Sequence, residues 1–201
     1  MGKLVGGNLA RGGRMVRHIA VAALAVALLA SGCSRTAERP AGRSSSGGTC
    51  SWSVYFSPHG GCTKAVVNAL DAAKHSVLVQ AYSFTSAPIA KALVNAHRRR
   101  LDVRVILDRS QVTQKYSSAD FLLHMGVPTW IDSAHAIAHN KVMVIDDATV
   151  ITGSFNFTKA AEEKNAENLL IIRDKELARR YTANWWAHER HSERYRGKGM
   201  F

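Results

Sequence analysis

The residues with the clearest chemical potential lie between positions 139 and 168. Within this stretch His139 and Lys141 are two positions apart, and so are Ser154 and Asn156. Alternate side chains of a β-strand point to the same face, so each pair is predicted to share a face if both stretches are extended. An imidazole, an ammonium, a hydroxyl and a carboxamide would then converge at one end of a sheet. Such a set can bind a phosphate and contains a nucleophile.

Each member of this set has a predicted role in the transfer of a phosphoryl group. The neutral imidazole of His139 can attack phosphorus and form a phosphohistidine, which divides one difficult displacement into two easier ones. Lys141, Ser154 and Asn156 can donate hydrogen bonds to the non-bridging oxygens, where the transition state accumulates negative charge. Glu167 can accept the second N–H of an imidazole and thereby fix the tautomer of the ring.

Asp146 completes the candidate catalytic residues, but its expected role is different. It directly follows the strand-like run Lys141–Ile145, and a second strand-like run covers residues 149–152. The short separation of the two runs predicts a tight hairpin. We therefore expect Asp146 to anchor Lys141 or the turn rather than to transfer protons.

Hydrophobic periodicity predicts the elements that must position these side chains. Runs of period two indicate strands and runs of period 3.6 indicate helices. The two kinds alternate at first, and then a hairpin, another strand and a long terminal helix follow. The predicted strands are 51–56, 76–83, 102–108, 128–131, 141–145, 149–152 and 169–172, and the predicted helices are 63–74, 87–100, 118–125 and 174–194. This order is typical of an α/β fold, a mixed β-sheet flanked by helices on both faces.

The first 32 residues have the layout of a lipoprotein-type signal peptide. A basic segment precedes an apolar run at 19–29, which is too short to cross a bilayer because a spanning helix needs ~20 apolar residues. The ending Ser31-Gly32-Cys33 resembles a lipobox, so we expect lipidation of Cys33, with plain signal cleavage as the alternative. The expected product is exported and is either periplasmic or held at a membrane by its N-terminal lipid anchor.

Composition predicts the remaining boundaries of the chain. Residues 33–50 are rich in Ser, Gly and Arg and lack an apolar period, which is typical of a flexible tether. A single folded domain is expected at 51–196, followed by a short tail at 197–201.

Cys50 and Cys62 form an even pair once Cys33 is assigned to the lipid. In an oxidising compartment such a pair predicts a disulfide, and two free buried thiols are the alternative.

The formal net charge of the chain is +12, from 27 Lys and Arg against 15 Asp and Glu. Each contact of a Lys or Arg with a phosphate releases condensed counterions, so this surplus favours polyanionic partners. Charge alone does not distinguish nucleic acid from anionic lipid or from a simple contribution to solubility.

The other histidines show no recognisable metal-binding pattern. No Cys/His spacing in the chain supplies the four ligands of a zinc site, so we expect neither a metal nor another cofactor. His135 lies four residues before His139 and either lines the site or, in the interpretation that we favour, sits in a loop. The remaining histidines are interpreted as surface or packing residues: His59, His75, His97, His124, His188 and His191.

The pattern HxKxxxxD is formed by His139, Lys141 and Asp146, and its continuation is formed by Gly153, Ser154, Asn156 and Glu167. Both resemble the single conserved motif of the phospholipase D superfamily. The flanks SPHGGCTKAVVNALDAAKHSVLVQAYSFTSAPIAKAL and TGSFNFTKAAEEKNAEN resemble the small bacterial endonucleases of that family, which are related to mitochondrial cardiolipin hydrolase. The likeness covers nearly all of residues 51–195 and implies the phospholipase D/nuclease fold.

The resemblance implies an enzyme, a metal-independent phosphodiesterase. Family enzymes use two such motifs and this chain has one, which implies a homodimer with one shared active site on its two-fold axis. One His139 would then attack phosphorus, while its symmetry mate protonates the leaving oxygen and later activates water. The favoured function is a non-specific endonuclease for DNA, or RNA. The alternatives are a hydrolase of anionic phospholipid and a non-catalytic, basic nucleic-acid-binding protein.

Overall fold

The computed structural model describes residues 50–198. The expected signal peptide, the lipidated Cys33, the tether up to residue 49 and the last three residues of the tail lie outside the described residues. The domain boundaries drawn from composition therefore stay predictions. Within the described range, no helix combines the length and the apolar character that crossing a membrane requires.

The described residues form one eight-stranded sheet with the strand order β1-β7-β6-β5-β2-β3-β4-β8. The strands are β1 Ser51–Ser57, β2 Ser76–Ala81, β3 Asp102–Asp108, β4 Thr129–Asp132, β5 Lys141–Ile145, β6 Thr149–Gly153, β7 Glu167–Arg173 and β8 Glu193–Arg194. Strands β2, β3 and β4 are parallel to one another, and every other neighbouring pair is antiparallel. The predicted mixed sheet is confirmed.

Helices pack against both faces of this sheet, as the sequence predicts. They are α1 Cys62–Ala72, α2 Ala87–Arg98, α3 Ala119–His124, α4 Lys159–Glu163 and α5 Lys175–Glu189, with a 3-10 turn at Arg109–Val112. Helices α1, α2 and α3 share a core with one face, and α5 packs on the other. Two elements differ from the prediction. The terminal helix ends at Glu189 because Glu193 and Arg194 pair with β4 as an edge strand, and the short helix α4 was not predicted.

Strand β2 shows why its sequence is apolar almost throughout. Val77 and Val79 lie in the core shared with α1 and α2, whereas Leu78 lies in the core shared with α5. A strand that is covered on both faces loses the alternation of apolar and polar residues. Its neighbour β5 is buried in the same way, so these two strands form the centre of the fold.

Helix α5 begins at a side-chain cap, and one tryptophan attaches the helix to the sheet. Asp174 caps the helix, because its carboxylate accepts a hydrogen bond from the N–H of Leu177 at 2.9 Å. The Nε1–H of Trp185 donates to the carbonyl oxygen of Val79 at 2.9 Å, and the ring packs edge-on against Trp130. Trp185 is buried and Trp186 is half-buried, as expected for neighbouring positions on a helix.

The predicted disulfide between Cys50 and Cys62 is wrong for this structure, in which both thiols are free. Eleven residues separate the two cysteines, and seven of them form the extended strand β1, which spans roughly 20 Å. A disulfide requires Cα atoms within about 7 Å. Burial and, next, the carboxylate of Glu162 raise the pKa of the Cys62 thiol to about 11, so the buried thiol stays protonated at neutral pH.

We expect Trp185→Phe to lower the free energy of unfolding by about 1–3 kcal/mol, because it removes a buried hydrogen bond and part of a packed ring. Urea denaturation at neutral pH measures the loss. Trp186→Phe is the matched control on the same helix. The ring of Trp186 is half-buried, with its centre 4.9 Å from the guanidinium carbon of Arg104. Trp186→Phe should therefore lower the free energy of unfolding by less than half as much as Trp185→Phe. Equal losses for the two variants would contradict this account of how α5 is attached.

Candidate active site

The topology brings the candidate residues to one edge of the sheet. Strand β5 runs antiparallel to β2, with Lys141 opposite Ala81. Strands β6 and β7 then reverse direction in turn, so that β5 begins, β6 ends and β7 begins at the same edge. His139 precedes β5, Ser154 follows β6 and Glu167 is the first residue of β7. The hairpin between β5 and β6, which the sequence predicts, is thus what places the two halves of the motif side by side.

Lys141 lies at this edge but is buried, with 7% of its surface exposed. Its Nζ donates a hydrogen bond to the carbonyl oxygen of His139 at 2.9 Å and lies 5.1 Å from the centre of the Tyr82 ring. Burial lowers the pKa of Lys141, and the negative charge of Glu167 partly opposes that shift. A desolvated cation of this kind interacts strongly with an anionic group that enters the site.

Tyr82 contacts the candidate nucleophile His139 as well as Lys141, and sequence reasoning missed it. The rings of Tyr82 and His139 have centroids 4.6 Å apart and are tilted by 60°. The N–H of Tyr82 donates to the carbonyl oxygen of Asn140 at 2.8 Å, which extends the pairing of β2 and β5 towards His139. The available signal was an aromatic residue directly after a buried strand, but only the tertiary pairing shows what it contacts. The imidazole of His139 itself is exposed.

Ser154 and Asn156 are oriented by the residues that alternate with them. Phe155 and Phe157 are fully buried, and the ring of Phe157 packs edge-on against Phe84. Ser154 is exposed and Asn156 is half-buried, so neither of these polar residues belongs to that core. The hydroxyl oxygen of Ser154 accepts hydrogen bonds from the N–H of Asn168 at 3.0 Å and from its Nδ2 at 3.3 Å. This leaves the hydroxyl hydrogen of Ser154 available as a donor.

Gly153 is required at the corner that leads into this segment. Its φ of 148° lies outside the range that other residues adopt easily, and an added Cβ would lie 2.3 Å from the carbonyl oxygen of Asn168. The close approach allows the N–H of Phe155 to donate to that same carbonyl at 3.1 Å. Gly153 thereby sets the direction in which Ser154 and Asn156 leave the sheet.

Two polar groups of the site, Oδ1 of Asn156 and the carboxylate of Glu167, lack the hydrogen-bond partners expected of them within residues 50–198. The Oδ1 atom of Asn156 is buried and accepts no hydrogen bond from residues 50–198. The carboxylate of Glu167 accepts from Nδ2 of Asn165 at 3.1 Å, and no hydrogen bond joins it to His139 in that range. The expected pairing of Glu167 with an imidazole is therefore not formed within one chain. A buried polar group without a partner is costly and commonly marks a functional site.

Ser57 and Asn165, which the sequence analysis did not single out, hold Glu167 in place. The hydroxyl of Ser57 donates to the carbonyl oxygen of Asn165 at 2.9 Å and accepts from the N–H of Glu167 at 3.2 Å. Ser57 also pairs with Glu167 in the register of β1 and β7. The first residue of β7 is thus fixed at the edge by contacts with its neighbouring strand.

Asp146 is not brought to the other candidate residues. It lies at the opposite end of β5 from His139, so its inclusion in the catalytic set is corrected by its position. Its carboxylate accepts hydrogen bonds from the N–H groups of Lys74, His75 and Ser76 at 2.9, 2.7 and 2.9 Å. Burial acts to raise the pKa of Asp146, but these N–H donors outweigh it and the net shift is downward. Of the two roles expected for Asp146, anchoring the turn fits the structure and anchoring Lys141 does not.

A second cluster, which spacing in the sequence did not reveal, gathers at the end of β4. It consists of Asp132, His135, His188 and His191, with one potential ligand atom of each residue within 4.8 Å of the others. His135 does lie in the loop between β4 and β5, as we favoured, but it contacts this cluster. His188 is half-buried and His191 is exposed, and the prediction that they are surface or packing residues did not include their contacts with Asp132. More than 50 residues of sequence separate His135 from His188, so no short sequence motif could reveal the cluster.

Comparison with known proteins relates the whole of this arrangement to one family. The family model described as "Cardiolipin synthase, PLD-like domain" matches residues 66–188. A relative from Rickettsia felis named "Phospholipase D" is 49% identical over 133 residues, which are 66% of this chain and 66% of the relative. A relative from Xenopus laevis named "Mitochondrial cardiolipin hydrolase" is 35% identical over 109 residues, 54% of this chain and 52% of the relative. The aligned stretches thus leave a third or more of each relative unmatched.

The fold is similar to that of a solved structure. A phospholipase D family member, Nuc from Salmonella typhimurium, has 39% sequence identity to this chain and superposes with a TM-score of 0.71. The superposition covers 74% of this chain and 100% of that one.

We expect Asp146→Asn to destabilise the protein by about 1–2 kcal/mol at pH 7, because it weakens charge-assisted hydrogen bonds to three backbone donors. The folded-state pKa is lowered, so this stabilisation is complete above the unfolded pKa of about 4 and is lost as the pH falls through the folded value. Urea denaturation of both proteins across this pH range should show the difference narrowing in acid.

The neighbouring substitution Asp147→Asn is the control for this prediction. Asp147 also has a positive φ, which Asn tolerates, but its carboxylate accepts from the side chain of Thr182 alone. Its cost should be well under half that of Asp146→Asn. A difference between wild type and Asp146→Asn that stays constant down to acid pH would refute the assigned role.

Proposed function

Because the chain belongs to the phospholipase D superfamily, we propose that it is a metal-independent phosphodiester hydrolase, an endonuclease that cuts DNA or RNA through a phosphohistidine. The observation that carries the proposal is that the exposed imidazole of His139 and the buried ammonium of Lys141 both contact the ring of Tyr82 at one edge of the sheet. Ser154 and Asn156 leave the end of the neighbouring strand at that edge. A nucleophile and donors for phosphate oxygens are thus available together.

The proposed reaction has two displacements at phosphorus. The ring nitrogen of His139 attacks, a phosphorus–nitrogen bond forms and the bond to the leaving oxygen breaks, while a second imidazole protonates that oxygen. Water then attacks the phosphohistidine, the second imidazole takes its proton and His139 is released. Lys141 and the hydrogen-bond donors stabilise the charge on the non-bridging oxygens in both steps. This is the work that a bound cation performs in other phosphodiesterases.

We propose that a second copy of the chain supplies the second imidazole. The chain carries one HxKxxxxD motif, whereas the reaction needs two histidines in different protonation states. The unpartnered Oδ1 of Asn156 and the absence of a bond from His139 to Glu167 within residues 50–198 support a site that is incomplete in one subunit. An apolar surface is also available to a second copy, since Trp52, Val54 and Phe56 alternate along β1 and are 65%, 38% and 63% exposed.

Nucleic acid is the substrate favoured by the exposed position of the candidate nucleophile and by the endonuclease-like flanks, and the positive charge suits any polyanion. The chain has a net charge of +12, and its candidate nucleophile stands exposed at a sheet edge, where a long polyanion has access. Each phosphate contact made by Lys or Arg gains from counterion release. The flanking sequences that resemble small bacterial endonucleases point in the same direction.

Anionic phospholipid is the second candidate substrate, and one structural feature favours it. An apolar groove of about 690 Å³ lies between α2 and α3, lined in part by Val94, Phe121 and Met125. Thr85 also lines the groove, and its N–H donates to the carbonyl oxygen of Phe157, the residue after Asn156. The relatives from Rickettsia and Xenopus carry names of lipid hydrolases. The proposed lipid anchor at Cys33 would also keep the enzyme at a membrane.

The direct test is cleavage of plasmid DNA by the untagged protein in the presence of EDTA. We expect cutting to continue in the chelator, and His139→Ala to reduce it by at least about 10³-fold because the nucleophile is lost. His124→Ala removes an exposed histidine from α3 and should cut like wild type. Cutting that disappears in EDTA and returns with Mg²⁺ would contradict the proposal.

The same protein should be offered vesicles of phosphatidylcholine and phosphatidylglycerol in a parallel reaction. Little release of phosphatidic acid is expected under conditions in which DNA is cut. Release that is faster than DNA cleavage, and that also requires His139, would make phospholipid the substrate and leave the chemistry unchanged. DNA binding without any cleavage between pH 5 and 9 would favour a non-catalytic binding protein.

Mixing of subunits tests the shared site. Wild type and His139→Ala are combined in equal amounts and allowed to exchange fully, which native mass spectrometry verifies. If each dimer needs both histidines, about a quarter of the dimers and of the activity should remain. A residual activity of half would show that each subunit works alone, and a monomeric active protein would end the proposal.

A further inference from the structure

The cluster of Asp132, His135, His188 and His191, here called the Asp132 cluster, converges on one carboxylate oxygen. Oδ2 of Asp132 lies 3.0 Å from Nδ1 of His135, 2.8 Å from Nδ1 of His188 and 3.5 Å from Nε2 of His191. The three rings also pack on one another, with centroids 4.9 to 5.2 Å apart. A carboxylate oxygen offers two lone pairs, so three ring nitrogens around it exceed what hydrogen bonding alone requires.

The burial of Asp132 makes this arrangement costly without a cation. Asp132 is 0% exposed, and within residues 50–198 its ion-pair partners within 4 Å are these three histidines, with no Lys or Arg. The N–H of Ala134 donates to Oδ1 of Asp132 at 3.1 Å, but a buried carboxylate also needs a positive partner, which is either a protonated imidazole of the cluster or a metal ion. The side chains of His135 and His191 are 45% and 38% exposed, so an ion can enter the cluster from solvent.

We propose that the Asp132 cluster binds one Zn²⁺ ion. Three imidazole nitrogens and one carboxylate oxygen are a donor set that suits zinc, and four protein ligands close a tetrahedral site. Zinc–ligand bonds of about 2.0–2.1 Å place the ligand atoms of a tetrahedron about 3.3 Å apart. The distances from Asp132 Oδ2 already lie close to this value, and every pair of ligand atoms lies within 4.8 Å. Small rotations of the exposed rings of His135 and His191 complete the geometry.

The position of the cluster indicates a structural rather than a chemical task for the zinc. Asp132 ends β4, His188 lies in the last turn of α5, and His191 follows that helix. His135 lies in the loop that continues to His139, and the same loop is held at Ala138, whose N–H donates to Asp108 at 2.7 Å. Three strand spacings, roughly 14 Å, separate β4 from β5, so the ion takes no part in the proposed displacement. It joins the C-terminal end of α5 to the sheet and to the loop before the nucleophile.

Zinc binding is independent of the proposed function and can be measured without an activity assay, from metal content, calorimetry and the melting temperature. The untagged protein is purified without chelator, and its metal content is measured by plasma mass spectrometry. We expect about one zinc per chain, or uptake of one equivalent by metal-stripped protein in a calorimetric titration. With free zinc at about 100 times its dissociation constant, the melting temperature should rise by about 5–10 °C.

Variants identify the ligands. His135→Ala and His191→Ala remove exposed side chains and should fold, which circular dichroism checks, but each should weaken zinc binding by at least about 100-fold and abolish the melting shift. His124→Ala removes a histidine outside the cluster and should behave like wild type. Addition of Co²⁺ to stripped wild type should give the intense visible absorption of a tetrahedral site, which His191→Ala should lack.

Two results would overturn the inference. One is wild-type protein that takes up no zinc and shows no melting shift, which would leave the cluster as a hydrogen-bonded network of imidazoles around a carboxylate. The other is zinc binding that His135→Ala and His191→Ala leave unchanged, which would place the ion elsewhere. DNA cleavage at 20 °C separates this inference from the proposed function, because stripped wild type and His191→Ala should still cut DNA if the chemistry needs no metal.

Discussion

The pairing of β5 with β2 at the centre of the sheet is the constraint on which the site depends. Both strands are buried on both faces, so their register cannot slip without moving apolar side chains out of two cores. That register sets Lys141 opposite Ala81 and brings His139 against Tyr82. At the far end of the same strand, Asp146 ties the turn to the N–H groups of residues 74–76. The exposed His139, the proposed nucleophile, is therefore held by contacts that are themselves buried or anchored at a distance.

The charges at the edge where β5 begins are arranged around the ammonium of Lys141, which is largely shielded from solvent. Lys141 is buried over an aromatic ring, and the carboxylate of Glu167 is its opposing charge. Such an environment favours the binding of an anion such as a phosphodiester, because the Coulombic attraction between Lys141 and the anion is screened less than in bulk water. The unpartnered oxygen of Asn156 and the exposed imidazole of His139 are the features on which the proposed completion by a second subunit rests.

The two functional clusters share an edge for a topological reason. Parallel strands β2, β3 and β4 all end there, and the antiparallel β5 begins there. Side chains that follow strand ends are not needed in the core, so this edge of an α/β sheet is free to carry ligands. The proposed zinc and the proposed nucleophile occupy its two halves, and the loop from Ser133 to Asn140 connects them.

Features that depend on neighbouring residues could be read from the sequence alone. The period of each run predicted nearly all strands and helices, the alternation of Phe155 and Phe157 with Ser154 and Asn156 predicted their shared face, and Asp174 was recognisable as a helix cap. Features that depend on distant residues could not. The extended path of β1 keeps Cys50 from Cys62, and Asp146 acts at the wrong end of β5 for catalysis. Asp132 meets His188 only because α5 returns across the sheet. Spacing along a chain encodes local geometry, whereas the meeting of remote side chains is decided by how the strands pair and how the helices pack.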